Sequence, residues 1–226
     1  MKKKNTKTIL SAFGTLAAFA LWTFLIRCVD VQPIGPNGSR VGFAAINGAF
    51  HALTGVHWAL YTLTDWLGLV PIGIALGFAV LGLVQLIRRK SLLKVDRDIL
   101  ILGGFYIVVL AAYLLFETVV INFRPVLIDG KLEASYPSST TMLALCILPT
   151  AMMQLKTRIR SDAVRCAILG ILAAFTVFMV VGRLISGVHW FTDIIGGVLL
   201  SVGLVMLYAF ATKRQGKSRK NSLACV

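Results

Sequence analysis

The sequence predicts an all-α membrane protein: a polytopic six-helix transmembrane bundle with an interfacial helix between the first two spans. Three observations carry that expectation. Of 226 residues, 58% are hydrophobic and only 14% are charged. The mean hydropathy is +0.84. The apolar residues also gather into runs long enough to cross a hydrocarbon core of roughly 30 Å.

The first run, 8–26, follows Met-Lys-Lys-Lys and has no clear small-residue cleavage site at its end, so an uncleaved span is expected rather than a removed signal. From Arg27 to Asp65 the character changes. Pro33, Gly35, Pro36, Asn37 and Gly38 mark a turn, and the moderately apolar stretch after it carries His51, His57 and Trp58. That pattern predicts a turn and then a helix lying in the membrane interface. Further spans are expected at 66–87, 99–120, 140–155, 167–184 and 191–211. The fourth is short and contains Pro149, which is tolerable where neighbouring helices satisfy the freed carbonyl. One integral domain over 1–226 is expected.

Charge sets the orientation. Four clusters, at 2–7, 88–97, 156–165 and 213–220, hold 18 of the 23 Lys and Arg residues. All four fall on one side of the predicted bundle, and basic residues in short loops stay cytoplasmic. Both termini are therefore expected in the cytoplasm of a cell-membrane protein whose other face points outward. The net charge of +14 is absorbed by this topology and by anionic headgroups, which argues against a nucleic-acid partner. Cys28, Cys146, Cys166 and Cys225 have no metal-ligand spacing, and at most Cys28 faces an oxidising compartment, so neither metal, cofactor nor disulfide is expected. The oligomeric state is left open.

Five basic residues remain for the outer side: Arg27, Arg40, Arg124, Lys131 and Arg183. Arg124 is expected to end the third span, with Pro125 stopping the helix. Arg183 ends the fifth, and His189 and Asp193 open the sixth after a turn at Gly187. Between them Pro137, Ser138, Ser139 and Thr140 open the fourth span with a helix N-terminus suited to an anion. Arginine forks match phosphate oxygens, and a histidine held by a carboxylate serves as a nucleophile or base. Asp193 is expected to hold the proton on one ring nitrogen of His189 and leave the other free to attack phosphorus. Blander readings exist for each residue. His189 and Asp193 satisfy each other at a helix start, the arginines are interfacial anchors, and the serines cap a helix.

These residues resemble the motifs of the type 2 phosphatidic acid phosphatase family, which shares its core with the vanadium-dependent haloperoxidases. The resemblance rests on 117–193 in motif and on all six spans in architecture. Arg183, His189 and Asp193 match the third motif in spacing, with Gly182 where a serine usually stands; Arg124 and Pro125 match an Arg-Pro pair, and Pro137 and Ser138 begin a Pro-Ser-Gly-His motif. The family plan makes His189 the nucleophile of a phosphohistidine intermediate and Asp193 its partner, with Arg124, Arg183, Ser138 and Ser139 on phosphate. Two positions depart from it. Glu117 stands where the family has a lysine, and Thr140 where it has the histidine that protonates the leaving group.

The resemblance implies a membrane lipid phosphatase or phosphotransferase at the outer face, acting on a phospholipid or prenyl diphosphate. General-acid catalysis is typically worth ~10²- to 10⁴-fold, so the loss at Thr140 favours a diphosphate, whose leaving group is weakly basic. Glu117 is expected to pair with Arg124 or Arg183, sharing a helix face with the former, or to meet a cationic headgroup. The alternative is a degenerate protein that binds or moves a phospholipid without turnover. The echo between Thr54-Gly-Val-His57-Trp58 and Ser186-Gly-Val-His189-Trp190 reads as coincidence, with His57, Trp58 and Trp66 in an interfacial belt. Gly73, Gly77 and Gly82 read as helix-packing positions.

Overall fold

A computed structural model describes residues 2–223 of the chain, with side chains over 6–212; the lysines at 2–4, the basic cluster at 213–220 and Cys225 lie outside the described side chains. Eight α-helices are found among the described residues: α1 (Lys2–Cys28), α2 (Ala44–Thr54), α3 (Trp58–Leu67), α4 (Leu69–Arg89), α5 (Arg97–Thr118), α6 (Ser139–Arg158), α7 (Asp162–Ile185) and α8 (Phe191–Leu223). There are no strands among them, only isolated bridges in the loops.

Five stretches are long and apolar enough to cross a membrane: Thr6–Cys28, Trp58–Arg89, Arg97–Thr118, Asp162–Ile185 and Phe191–Thr212. Their outer faces carry large exposed apolar residues, among them Phe13, Leu76, Leu83, Ile107, Leu114, Ile171 and Val177. A belt of that extent is unfavourable in water and natural in lipid, and the protein is a multi-pass membrane protein.

The fourth predicted span, α6, owes its place to burial rather than to apolarity. It packs against α4, α5, α7 and α8 and buries Thr141, Thr150 and Gln154 together with Met142, Cys146 and Leu148. A helix shielded by protein on most sides has no need of a lipid-compatible surface. Met142 and Cys146 join Leu102, Phe105, Val109, Leu200, Leu204 and Tyr208 in the main core between α5, α6 and α8.

The interface region differs from expectation in one respect. The second span begins at Trp58 rather than at 66, because α3 passes through Gly68 almost directly into α4. The separate interfacial helix is α2 alone. Its first turn is held by Asp30, whose carboxylate and carbonyl accept from the amides of Ala45 and Ala44. The side chain of Asn47 ties it to the start of α8, donating to Thr192 Oγ1 at 2.9 Å.

The glycines sort differently as well. A Cβ at Gly73 or Gly77 would meet nothing within 4 Å, so neither is a packing position, whereas one at Gly82 would lie 3.1 Å from Ile99. The echoing segments prove to be neighbours. A Cβ at Gly187 would sit 1.9 Å from the Gly55 carbonyl oxygen, and the His57 amide donates to the Ser186 carbonyl at 3.0 Å.

Candidate active site

At the end of the bundle away from the α4–α5 and α6–α7 connections, the segment 119–138 folds back on itself between α5 and α6. Phe123 bridges Ala134, the Arg124 amide donates to the Glu133 carbonyl, and the Ser135 amide donates to that of Asn122. Arg124 and Ser135 thereby come close together on the two arms. This corrects the expectation for Arg124. The helix ends at Thr118, so Arg124 is held by a loop pairing and shares no helix face with Glu117.

Two aromatic residues fix this loop against the bundle. Trp190 donates its indole N–H to the Phe123 carbonyl at 2.8 Å. Tyr136 is 1% exposed and lies against Gly196 so closely that a Cβ there would fall 2.3 Å from its ring. Its hydroxyl meets that of Thr23 at 2.7 Å. The Tyr136-Pro137 peptide is cis.

His189 lies just before α8, in a turn where Gly187 has φ +69°, and is 3% exposed. Its Nδ1 is 3.1 Å from the Ser135 carbonyl oxygen and 3.0 Å from Ser135 Oγ. Its Nε2 is 3.5 Å from Arg124 Nη1. The carbonyl only accepts and the guanidinium only donates, so the proton resides on Nδ1 and the Nε2 lone pair faces Arg124. Burial, and then the positive charges of Arg124 and Arg183, hold the imidazole well below its ordinary pKa, leaving it neutral.

Asp193 has no hydrogen bond to His189. Ser135 stands between them, donating its hydroxyl to Asp193 Oδ2 at 2.5 Å and accepting from His189 Nδ1. Asn122 at 3.3 Å and the Trp190 amide at 3.0 Å also donate to the carboxylate. Ser135 and Asn122 were not among the residues expected from the sequence. The serine's signal was its place two residues before Pro137, but nothing local linked it to residue 193.

Arg183 is 1% exposed, with Tyr61 beneath its guanidinium at 5.0 Å and long contacts to Thr64 Oγ1 at 3.4 Å and Asp65 Oδ1 at 3.5 Å. Among the described residues, its Nε has no partner. Gly182 replaces the usual serine where α3 crosses α7, since a Cβ there would meet Thr64 at 2.8 Å. Arg124 pairs with Glu133 at 3.2 Å. The carboxylates on the two arginines are thus Asp65 and Glu133, and the expected pairing with Glu117 is not formed. Glu117 instead lines a small recess of about 10 Å³ that also touches His189, Ser135 and Ser139.

Ser138 precedes α6 without capping it through its side chain. Its amide donates to the Asp193 carbonyl at 3.2 Å, and its fully buried hydroxyl has no partner among the described residues. Thr140 faces elsewhere, its methyl set against Gly68. With Ser139 it closes one end of an apolar cavity of about 1040 Å³ between α4 and α5, which runs to Leu92 and Val95 at the other end of the bundle.

The polytopic bundle thus buries a histidine beside Arg124, with a second buried guanidinium, Arg183, on the preceding helix. Residues 118–217 match the PAP2 superfamily, so the family resemblance read from the motifs holds for the stretch that carries Arg124, Ser138, Thr140, Arg183, His189 and Asp193. Among solved structures, a transmembrane PAP2-type phosphatidylglycerolphosphate phosphatase from Bacillus subtilis aligns at 20% identity and TM-score 0.48, over 91% of this chain and 96% of that one. No curated protein sequence matches.

Proposed function

We propose that the chain is a lipid phosphatase or phosphotransferase, one catalytic domain over 1–226 with its motif core at 117–193, using His189 as nucleophile. The observation that carries this reading is the placement of His189: Nδ1 lies 3.1 Å from the Ser135 carbonyl oxygen, and Nε2 faces Arg124 at a long 3.5 Å. A neutral imidazole in that state attacks phosphorus through the Nε2 lone pair. A P–N bond forms, the P–O bond to the leaving group breaks, and the leaving oxygen takes the electron pair. The imidazolium character that develops is stabilised through Ser135 by Asp193, an arrangement related in logic to a catalytic triad. Water or an acceptor hydroxyl then takes the phosphoryl group from nitrogen.

Phosphate is the anion the surroundings favour. Arg183 is buried, its polar contacts are long and its Nε lacks a partner. Buried guanidinium groups require good acceptors, and phosphate oxygens supply them. Ser138 Oγ is a further buried donor without a partner among the described residues, and Ser139 borders the same recess as His189. The apolar cavity behind Thr140 supports a lipid substrate, since it gives a chain of methylenes a path alongside α4 and α5. The site lies opposite the basic clusters at 88–97 and 156–165, which supports an outward-facing site in the cell membrane.

The test is inorganic phosphate release by detergent-purified protein from lipid monophosphates and prenyl diphosphates, beside His189→Ala. Release by the parent that vanishes in the variant is expected. Binding of these lipids with no release from any of them would favour a non-catalytic carrier.

A further inference from the structure

A second cavity of about 540 Å³ adjoins the phosphate site, and its walls have the chemistry of a cation receptor. The aromatic rings of Trp58, Tyr61 and Trp66 line it together with the carboxylates of Asp65 and Asp129. Trp58 and Tyr61 stand nearly perpendicular, their centroids 5.9 Å apart at 80°, so they form two walls of a corner. Among the described residues no lysine or arginine lines the cavity, and Lys131, bridged to Ile128 across the turn, is not part of the wall. A membrane-interface belt accounts for tryptophans facing lipid headgroups. It does not account for two carboxylates facing the same space.

The cavity is joined to the anion site by shared side chains. Tyr61 carries the Arg183 guanidinium on its ring, and Asp65 is the carboxylate nearest that guanidinium. Arg183 is itself buried with an unpartnered Nε. An anionic acceptor is wanted on one side of Tyr61 and Asp65, and a cation is favoured on the other. A zwitterion with a phosphate and an ammonium a few bonds apart meets both demands.

We infer that this cavity binds the ammonium group of a phospholipid headgroup whose phosphate occupies the arginine and histidine site. The inference rests on the phosphate reading above and narrows its substrate class to amine-bearing phospholipids. Aromatic faces attract an ammonium through their quadrupole, and the carboxylates add Coulomb attraction in a partly desolvated space.

Binding is measured on the full chain carrying His189→Ala, which holds ligand without turnover, so failure of the catalytic reading is separate from failure of this one. Tryptophan fluorescence is titrated with phosphoethanolamine, phosphocholine and glycerol 3-phosphate, and with lysophosphatidylethanolamine and lysophosphatidic acid in nanodiscs. The ammonium compounds are expected to bind about 5- to 30-fold tighter than their ammonium-free partners, the range that a cation-π contact of moderate strength gives. A preference confined to the nanodisc arm assigns the ammonium to a lipid headgroup; one equally strong for the soluble compounds replaces the lipid with a free phosphoamine and overturns that part of the inference.

Asp129→Asn keeps the left-handed turn at φ +49°, which asparagine tolerates, and is expected to erase the preference while leaving glycerol 3-phosphate binding unchanged. Trp58→Ala, at a half-exposed position, is expected to do the same by calorimetry. Equal affinity for both compound classes in the starting protein, or a preference that survives both substitutions, overturns the inference.

Discussion

Ser135 joins Asp193 to His189 without the two sharing a bond: its hydroxyl donates to the carboxylate at 2.5 Å and lies 3.0 Å from the imidazole Nδ1. Ser135→Ala removes that link but keeps the backbone carbonyl on Nδ1. The expected result is a fall in kcat of about 10- to 100-fold with KM nearly unchanged, the scale seen when an imidazole loses its outer orienting partner. Ser135→Thr, which retains a hydroxyl, recovers most of the loss. An alanine variant as active as the parent would show that the carboxylate does not act on His189 through this hydroxyl.

The acid limb of the pH profile reports the environment of His189. Burial and two arginines lower its pKa from the ordinary 6.5, so the imidazole stays neutral through that pH, and kcat/KM is expected to fall only under more acidic conditions. Arg124→Gln removes one source of positive charge and moves this limb to higher pH, whatever it does to the maximal rate. The same shift has a stability consequence. Below about pH 6.5 the unfolded histidine takes up a proton that the folded one refuses, so stability declines as pH falls through the ordinary value. Thermal unfolding of His189→Ala should lose that part of the acid sensitivity.

What the sequence disclosed follows from how far each signal reaches. Apolar runs report lipid contact directly, which is why the spans at 99–120 and 191–211 fall within a few residues of α5 and the described span at α8. The start at Trp58 is not legible because Gly68 reads as a breaker, although it takes up right-handed helical dihedrals between α3 and α4. Arg183, His189 and Asp193 were legible because one short segment holds all three. The Arg183–Asp65 pairing joins residues 118 positions apart, and Arg124–Glu133 forms only because the loop 119–138 folds back on itself. No local pattern encodes which carboxylate will meet which guanidinium. Ser135 stayed hidden for the same reason, since its role exists only once residues 58 positions apart are brought together.

Gly187 is the most constrained glycine near the site. Its φ is +69°, and a Cβ would fall 1.9 Å from the backbone oxygen of Gly55. Gly187→Ala must therefore strain the turn and push the α2–α3 connection away from His189. A destabilisation of about 2 kcal/mol or more is expected, at the upper end for single substitutions, together with near-complete loss of activity. Gly73→Ala meets nothing within 4 Å and serves as the control, expected to leave melting temperature equal or slightly raised. Matching melting curves for the two variants would contradict the close approach of the two turns.

On the proposed mechanism, the lack of an acid at Thr140 is expected to limit which leaving groups the site accepts. With its methyl against Gly68, it offers no proton near neutral pH to an oxygen departing from phosphorus. An alkoxide must then leave unprotonated, whereas a diphosphate expels a weakly basic phosphate and depends less on an acid. The parent protein is expected to release phosphate faster from a prenyl diphosphate than from a lipid monophosphate. Thr140→His places an imidazole at the mouth of the apolar cavity, beside Ser139. If it reaches the leaving oxygen, it should raise monophosphate turnover by ~10-fold or more, a fraction of what a well-placed acid supplies, and diphosphate turnover much less. Adding Glu117→Lys restores the second missing group and should lower KM for both, because a cation replaces a carboxylate at the recess next to His189. Equal gains on both substrates from the single change would mean that leaving-group protonation is not what Thr140 withholds, and no gain from the double change would mean that the pocket is shaped for another reaction.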